Sequence, residues 1–193
     1  ALYKLLLASG LFTFTILAIV VHFVPILTDS GADPLAAAGI ASLVGIFSII
    51  GRLGAGFLLD RFPAHKVGAI IFLLPVIACT SLLVDGGSAV SQSLAAAIVG
   101  LTLGSEVDVM AYLAAKYFGL KNFGALYGAL LMALSLGTAL GPLAAGAVFD
   151  QYGSYALFLQ WTMVLTTVSA VALLSLGSTP AADEALEPGT GSG

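Results

Sequence analysis

Two stretches decide the fold. Gly51-Arg-Leu-Gly-Ala-Gly56-Phe-Leu-Leu-Asp60-Arg-Phe62 is followed ninety residues later by Gly141-Pro-Leu-Ala-Ala-Gly146-Ala-Val-Phe-Asp150-Gln-Tyr152. Laid over one another, Gly51 falls on Gly141, Leu53 on Leu143, Ala55 on Ala145, Gly56 on Gly146 and Asp60 on Asp150. An aromatic residue follows two positions later in each copy. Each stretch closes a long apolar run, and a bilayer core about 30 Å thick takes roughly 20 such residues as a helix. Working outward, the sequence holds six such runs, predicting spans over about 5–28, 34–59, 67–84, 88–115, 122–149 and 153–177. Polar breaks separate them at 29–33, 60–66, 85–88, 116–121 and 150–153. The runs are too long for barrel strands and lack period-two alternation.

The ninety-residue offset carries spans one to three onto four to six. Three is odd, so the second copy enters the membrane the other way up. Asp60 then ends on one side and Asp150 on the other. The expected fold is an all-α membrane protein of six transmembrane helices arranged as a three-plus-three inverted repeat, a recurring plan among secondary transporters.

Composition agrees. Of the 193 residues, 60% are apolar and only 8% charged, against about 25% charged in an ordinary soluble domain. With a mean hydropathy of +1.11 there is too little polar surface for a water-soluble enzyme, a nucleic-acid binder or a disordered protein. Nucleic acid is therefore not an expected partner; the bilayer is. A single cysteine, Cys79, allows no intrachain disulfide. All six bases, Lys4, Arg52, Arg61, Lys66, Lys116 and Lys121, fall on one side of the membrane. The positive-inside rule makes that side cytoplasmic, giving a multi-pass inner-membrane protein with both termini inside. The stretch 178–193, rich in Gly, Pro and Ala with Asp183, Glu184 and Glu187, reads as a disordered cytoplasmic tail.

The run Gly56-Phe-Leu-Leu-Asp60-Arg61-Phe-Pro-Ala-His-Lys66 resembles the Gly-x-Leu-x-Asp-Arg loop, with its following base, of the major facilitator superfamily. Gly141-Pro142 resembles that family's glycine-proline element. Gly104-Ser-Glu106-Val-Asp108, with Tyr112 and Lys116-Tyr-Phe-Gly119, is similar to a stretch of bacterial members near the monocarboxylate and oxalate/formate branch. The resemblance covers residues 1–177. It implies the C-terminal six-helix half of a twelve-helix transporter, whose missing N-terminal half, or a second copy, would complete the path. It also implies alternating access for a small solute, an organic anion or monocarboxylate, with no cofactor. Gly56, Asp60, Arg61 and Lys66 would form the loop that latches the cytoplasmic face. Arg52 would meet the substrate carboxylate. Ser48, one turn before it, stands where such members often carry an acid.

The residues say more on their own. Arg52 lies eight positions before Asp60, roughly 12 Å into the helix, where a charge costs at least about 2.5–3.5 kcal/mol. It needs a partner or a wet cavity. Glu106 and Asp108 lie at similar depth and about 200° apart around their helix, so they face different neighbours. Asp108 shares a stripe with Ala96, Gly100, Gly104 and Ala111 and is expected at a helix contact, pairing with Arg52 or Arg61. Glu106 is then expected to be the solvent-reached acid and proton carrier. Gly100/Gly104, Gly124/Gly128 and Gly137/Gly141 have the spacing of close helix crossings; Pro142 and Gly146 join that packing set. His22 reads as a satisfied interfacial histidine. No metal site is expected from two separate histidines and one cysteine. No serine-hydrolase, zincin or Walker pattern is present, which speaks against an enzyme. An intramembrane hydrolase, and a sensor or scaffold that keeps the fold without transport, remain the alternatives.

Overall fold

Pro25 has no N–H to give the Val21 carbonyl one turn back, which weakens the first span at that point. The computed structural model, which describes residues 2–119 and 123–177, breaks it there: α1 runs Leu2–Val21 and α2 Phe23–Asp29. His22 is the joint. The expectation of one helix over 5–28 is corrected by that missing donor. The rest are α3 (Pro34–Arg61), α4 (Ala64–Asp85), α5 (Ala89–Phe118), α6 (Phe123–Tyr152) and α7 (Ala156–Leu174). Six of these seven helices are long and apolar enough to cross a membrane. The tail 178–193, Lys121 and Asn122 lie outside the described residues.

Local chemistry sets the ends. Asp33 caps α3 by accepting from the Leu35 and Ala36 amides at 3.0 and 3.3 Å, with Pro34 in the first turn, where its missing N–H costs nothing. Pro63 closes the turn from α3 into α4, since the residue before a proline is pushed out of helical geometry. Gly153, at φ +67°, makes the tight exit from α6.

The helices exchange partners between the two repeats. Helix α3 packs on α5, α1 packs on α6, and α4 lies against α5 and α7. A shift of ninety residues carries α1–α2 onto α5, α3 onto α6 and α4 onto α7, and it carries the α3–α5 crossing onto the α6–α1 crossing. At both crossings glycine permits backbone contact. A Cβ at Gly51 would overlap the Leu101 carbonyl, and one at its repeat mate Gly141 would overlap the Phe14 carbonyl. Gly137 sits against Gly10, its added Cβ only 2.7 Å from that carbonyl. Gly146 departs from expectation: its nearest neighbour is the His22 ring at 3.8 Å, an ordinary contact. A Cβ at Gly124 or Gly128 would meet nothing within 4 Å, because among the described residues no helix covers their face of α6.

Two apolar clusters fill the bundle. One gathers Ile19, Phe23, Ile26 and Phe158. The other gathers Leu5, Phe12, Phe72, Met110 and Leu113, with the Phe12 and Phe72 rings stacked 3.6 Å apart. Burial is uneven. Only 17% of the α3 span window and 28% of the α6 window lie inside the protein, against 50–61% for α1, α4 and α5. Helices α3 and α6 therefore present the broad open faces.

Candidate functional site

The site grows out of the α3–α5 crossing. Along α5, Gly100, Gly104 and Asp108 follow one another at nearly one turn. Along α3, Val44, Ser48 and Arg52 do the same. The first two steps are backbone on backbone: a Cβ at Gly100 would come within 2.5 Å of the Val44 carbonyl oxygen, and one at Gly104 would overlap the Ser48 carbonyl. At the third step both helices carry charge. Arg52 Nε stands 3.4 Å from Asp108 Oδ2. The expected pairing of Asp108 with an arginine at a helix contact is therefore present in the geometry, and the arginine is Arg52.

The pair is not sealed. The Arg52 side chain is 64% exposed and that of Asp108 40%, so much of each faces an opening. Beside them lies a pocket of about 460 Å³ lined by Ser48, Ile49, Arg52, Leu53, Leu103, Gly104 and Val107. Apart from Arg52, most of that lining is apolar. The Ser48 hydroxyl donates to the Gly45 carbonyl at 2.7 Å. The Ser105 hydroxyl crosses to the Gly51 carbonyl at 2.9 Å, tying α5 to α3 one residue before Arg52. Sequence reasoning missed Ser105; its place beside Gly104 was the available sign.

Glu106 reverses the expectation made for it. It is 2% exposed, because α1 covers the side of α5 that points away from α3. Its carboxyl is hydrogen-bonded to the Thr13 hydroxyl of α1. That hydroxyl also reaches the Ser9 carbonyl at 2.8 Å. One hydroxyl hydrogen faces two acceptors. When Thr13 gives it to Ser9, a protonated Glu106 completes the pair; an ionised Glu106 draws the hydrogen to itself. Asp108, and not Glu106, is the acid left uncovered by the other helices.

The expected latch residues gather only in part. Asp60, Arg61 and Phe62 line a cavity of about 340 Å³ with Tyr112 and Lys116 from the end of α5. The Arg61 guanidinium lies 4.1 Å over the Phe57 ring, and Lys116 stands 5.5 Å over Tyr112. Lys66 is exposed on the first turn of α4 and is not part of that lining; a Cβ at Gly56 would meet nothing within 4 Å. At the opposite end, Asp29 Oδ2 accepts from Ser154 Oγ at 3.1 Å and from the Tyr155 amide at 3.2 Å, capping the start of α7. Burial, then the charges of Asp29 and Asp150, push the Tyr155 phenol above its ordinary range.

Comparison with known proteins fits this geometry. A match to the Major Facilitator Superfamily runs over residues 5–192. The chain is similar to the uncharacterized MFS-type transporter C18.02 of Schizosaccharomyces pombe, with 29% identity over 122 residues, 62% of this chain and 27% of that protein. It is also similar to the uncharacterized MFS-type transporter YhjX of Escherichia coli, with 27% identity over 106 residues, 55% of this chain and 26% of that protein. The matched segments thus span about a quarter of these relatives' length. The chain belongs to the major facilitator superfamily, a family of membrane transporters.

Proposed function

We propose that this chain is the C-terminal half of a secondary active transporter that moves a small organic anion, a monocarboxylate, by alternating access. The branch nearest in character is the bacterial monocarboxylate and oxalate/formate group. The solute path would be completed by an N-terminal six-helix half or by a second copy. The arrangement of bases argues for an inner-membrane protein with both termini cytoplasmic.

The observation that carries the reading is the half-open Arg52–Asp108 pair beside an apolar-lined pocket. A guanidinium held within the span is costly unless paired, and its planar fork suits one carboxylate. The lining by Ile49, Leu53, Leu103 and Val107 suits a short hydrocarbon body. In the empty site Asp108 neutralises Arg52. An arriving carboxylate takes the guanidinium, and the displaced charge on Asp108 is balanced by a proton. Glu106, two residues before Asp108 and held by Thr13 of α1, is the second proton-holding acid. Ser48 lines the same pocket as a neutral hydroxyl. The Asp60–Arg61 turn, with Gly56 and Lys66, serves as the cytoplasmic latch.

The test is uptake of radiolabelled short monocarboxylates into proteoliposomes that carry the full-length transporter, with both six-helix halves. Arg52→Lys keeps the charge and loses the fork. Charged hydrogen bonds contribute about 1.5–3 kcal/mol each, so uptake affinity should fall roughly tenfold to a hundredfold while insertion is preserved. Asp108→Asn should weaken the dependence of affinity on pH. Unchanged uptake of every carboxylate by Arg52→Lys contradicts the proposal.

A further inference from the structure

His22 sits at the joint between α1 and α2, three residues before Pro25. Its ring touches two other elements. Nε2 stands 3.1 Å from the Pro142 carbonyl of α6, and Nδ1 stands 3.0 Å from the Tyr155 hydroxyl, just before α7. Pro142 is itself a proline inside a helix, where the absent N–H frees a carbonyl one turn back and weakens the rod. One imidazole therefore joins two proline-weakened points, at Pro25 and Pro142, to the start of the last helix.

The chemistry of these contacts is directional. A carbonyl oxygen only accepts, so Nε2 must carry hydrogen. In the neutral ring Nδ1 then has a lone pair, and the Tyr155 hydroxyl donates to it. If Nδ1 gains a proton it becomes a donor, and the phenol oxygen can accept. Both contacts survive, and both become charge-assisted. The phenolic hydrogen is then released toward the side where the charges of Asp29 and Asp150 reach this hydroxyl. Tyr155 touches the ring, and Asp29 of α2 with Asp150 and Tyr152 of α6 are the titratable groups at the same end of the neighbouring elements. His22 lies at the end of the bundle away from Arg61 and Lys66, which flank the turn between α3 and α4.

We propose that His22 is a proton-operated pin, binding α6 at Pro142 and the start of α7 to the joint between α1 and α2, and binding them more tightly once its ring is doubly protonated. Imidazole is the side chain whose ordinary titration crosses pH 5 to 8, so acid on that side favours the pinned arrangement. The pin is separate from the Arg52 site and stands or falls without it.

The chain has only two histidines, so ¹⁵N-imidazole NMR in lipid nanodiscs can assign both, with His22→Gln removing one. At alkaline pH, His22 should show the tautomer with hydrogen on Nε2. Spin labels at Val21→Cys and Gln151→Cys in a Cys79→Ala background then read the spacing of the joint and the end of α6. A charge-assisted bond is roughly twice as strong as a neutral one, so the ratio of short to long distances should rise about fivefold from pH 8 to pH 5.5. His22→Gln should abolish that rise, and Tyr155→Phe should blunt it. The opposite tautomer at alkaline pH, or a distance response that persists in His22→Gln, overturns the proposal. The tautomer measurement needs no variant to fold.

Discussion

Replacing Gly104 with alanine should force α5 off α3. The added Cβ would overlap the Ser48 carbonyl oxygen and lie 2.7 and 2.9 Å from the Ser48 carbonyl carbon and Cα. These are backbone atoms and cannot rotate away. Carbon atoms pack at about 3.5–4.0 Å, so the helices must part by about 1 Å. Overpacking of this kind costs about 1–3 kcal/mol. For a chain of this size each kcal/mol moves the melting temperature by about 2–4 °C, so Gly104→Ala should melt roughly 2–12 °C lower. The same shift stretches the Arg52–Asp108 contact, now 3.4 Å and one turn along. Gly128 is the control, with nothing within 4 Å of an added Cβ. There alanine removes a glycine from a helix interior, a gain of about 0.5–1 kcal/mol, and the melting temperature should hold or rise. The assay is built into the sequence. Cys79 is the sole cysteine and is 1% exposed, so a thiol-reactive dye in mild detergent reports unfolding. Equal melting of Gly104→Ala and the native chain, or an equal fall in Gly128→Ala, would refute the crossing geometry.

Asp29→Ala removes the acceptor for the Tyr155 amide and the Ser154 hydroxyl. It should cost about 1 kcal/mol and speed amide exchange at the start of α7; unchanged exchange speaks against the cap. Glu106→Gln keeps a group that can bond Thr13, so the melting temperature should stay near native while the pH dependence of uptake weakens. An unaltered pH profile returns Glu106 to a purely structural role. A topology reporter inserted after Asp85 should appear outside the cell, and one after Lys66 inside; the opposite pattern sinks the orientation.

The spans and the inverted repeat were legible because they rest on local features: the length of apolar runs and the shared register of Gly51, Gly56 and Asp60 with Gly141, Gly146 and Asp150. Asp108 was legible for a related reason, since helical spacing alone places it on the stripe of Gly100 and Gly104. What a neighbour covers was not legible. The 200° between Glu106 and Asp108 told that they part, but only the packing of α1 on α5 decides which one is buried. Glycine spacing behaves likewise. Gly100/Gly104 and Gly124/Gly128 look alike in sequence, yet only the first pair has a helix against it. The joint at His22 was hidden because Pro25 acts on the carbonyl one turn back, away from its own position.

The most direct test of the account is ¹⁵Nε NMR of arginine in nanodiscs. The chain has two arginines, Arg52 and Arg61, and Arg52→Lys identifies the first. Titration with a short monocarboxylate should move the Arg52 signal saturably, leave Arg61 in place, and give no such curve with chloride. An Arg52 signal that does not respond, or two arginine signals that drift together, contradicts a carboxylate site at Arg52.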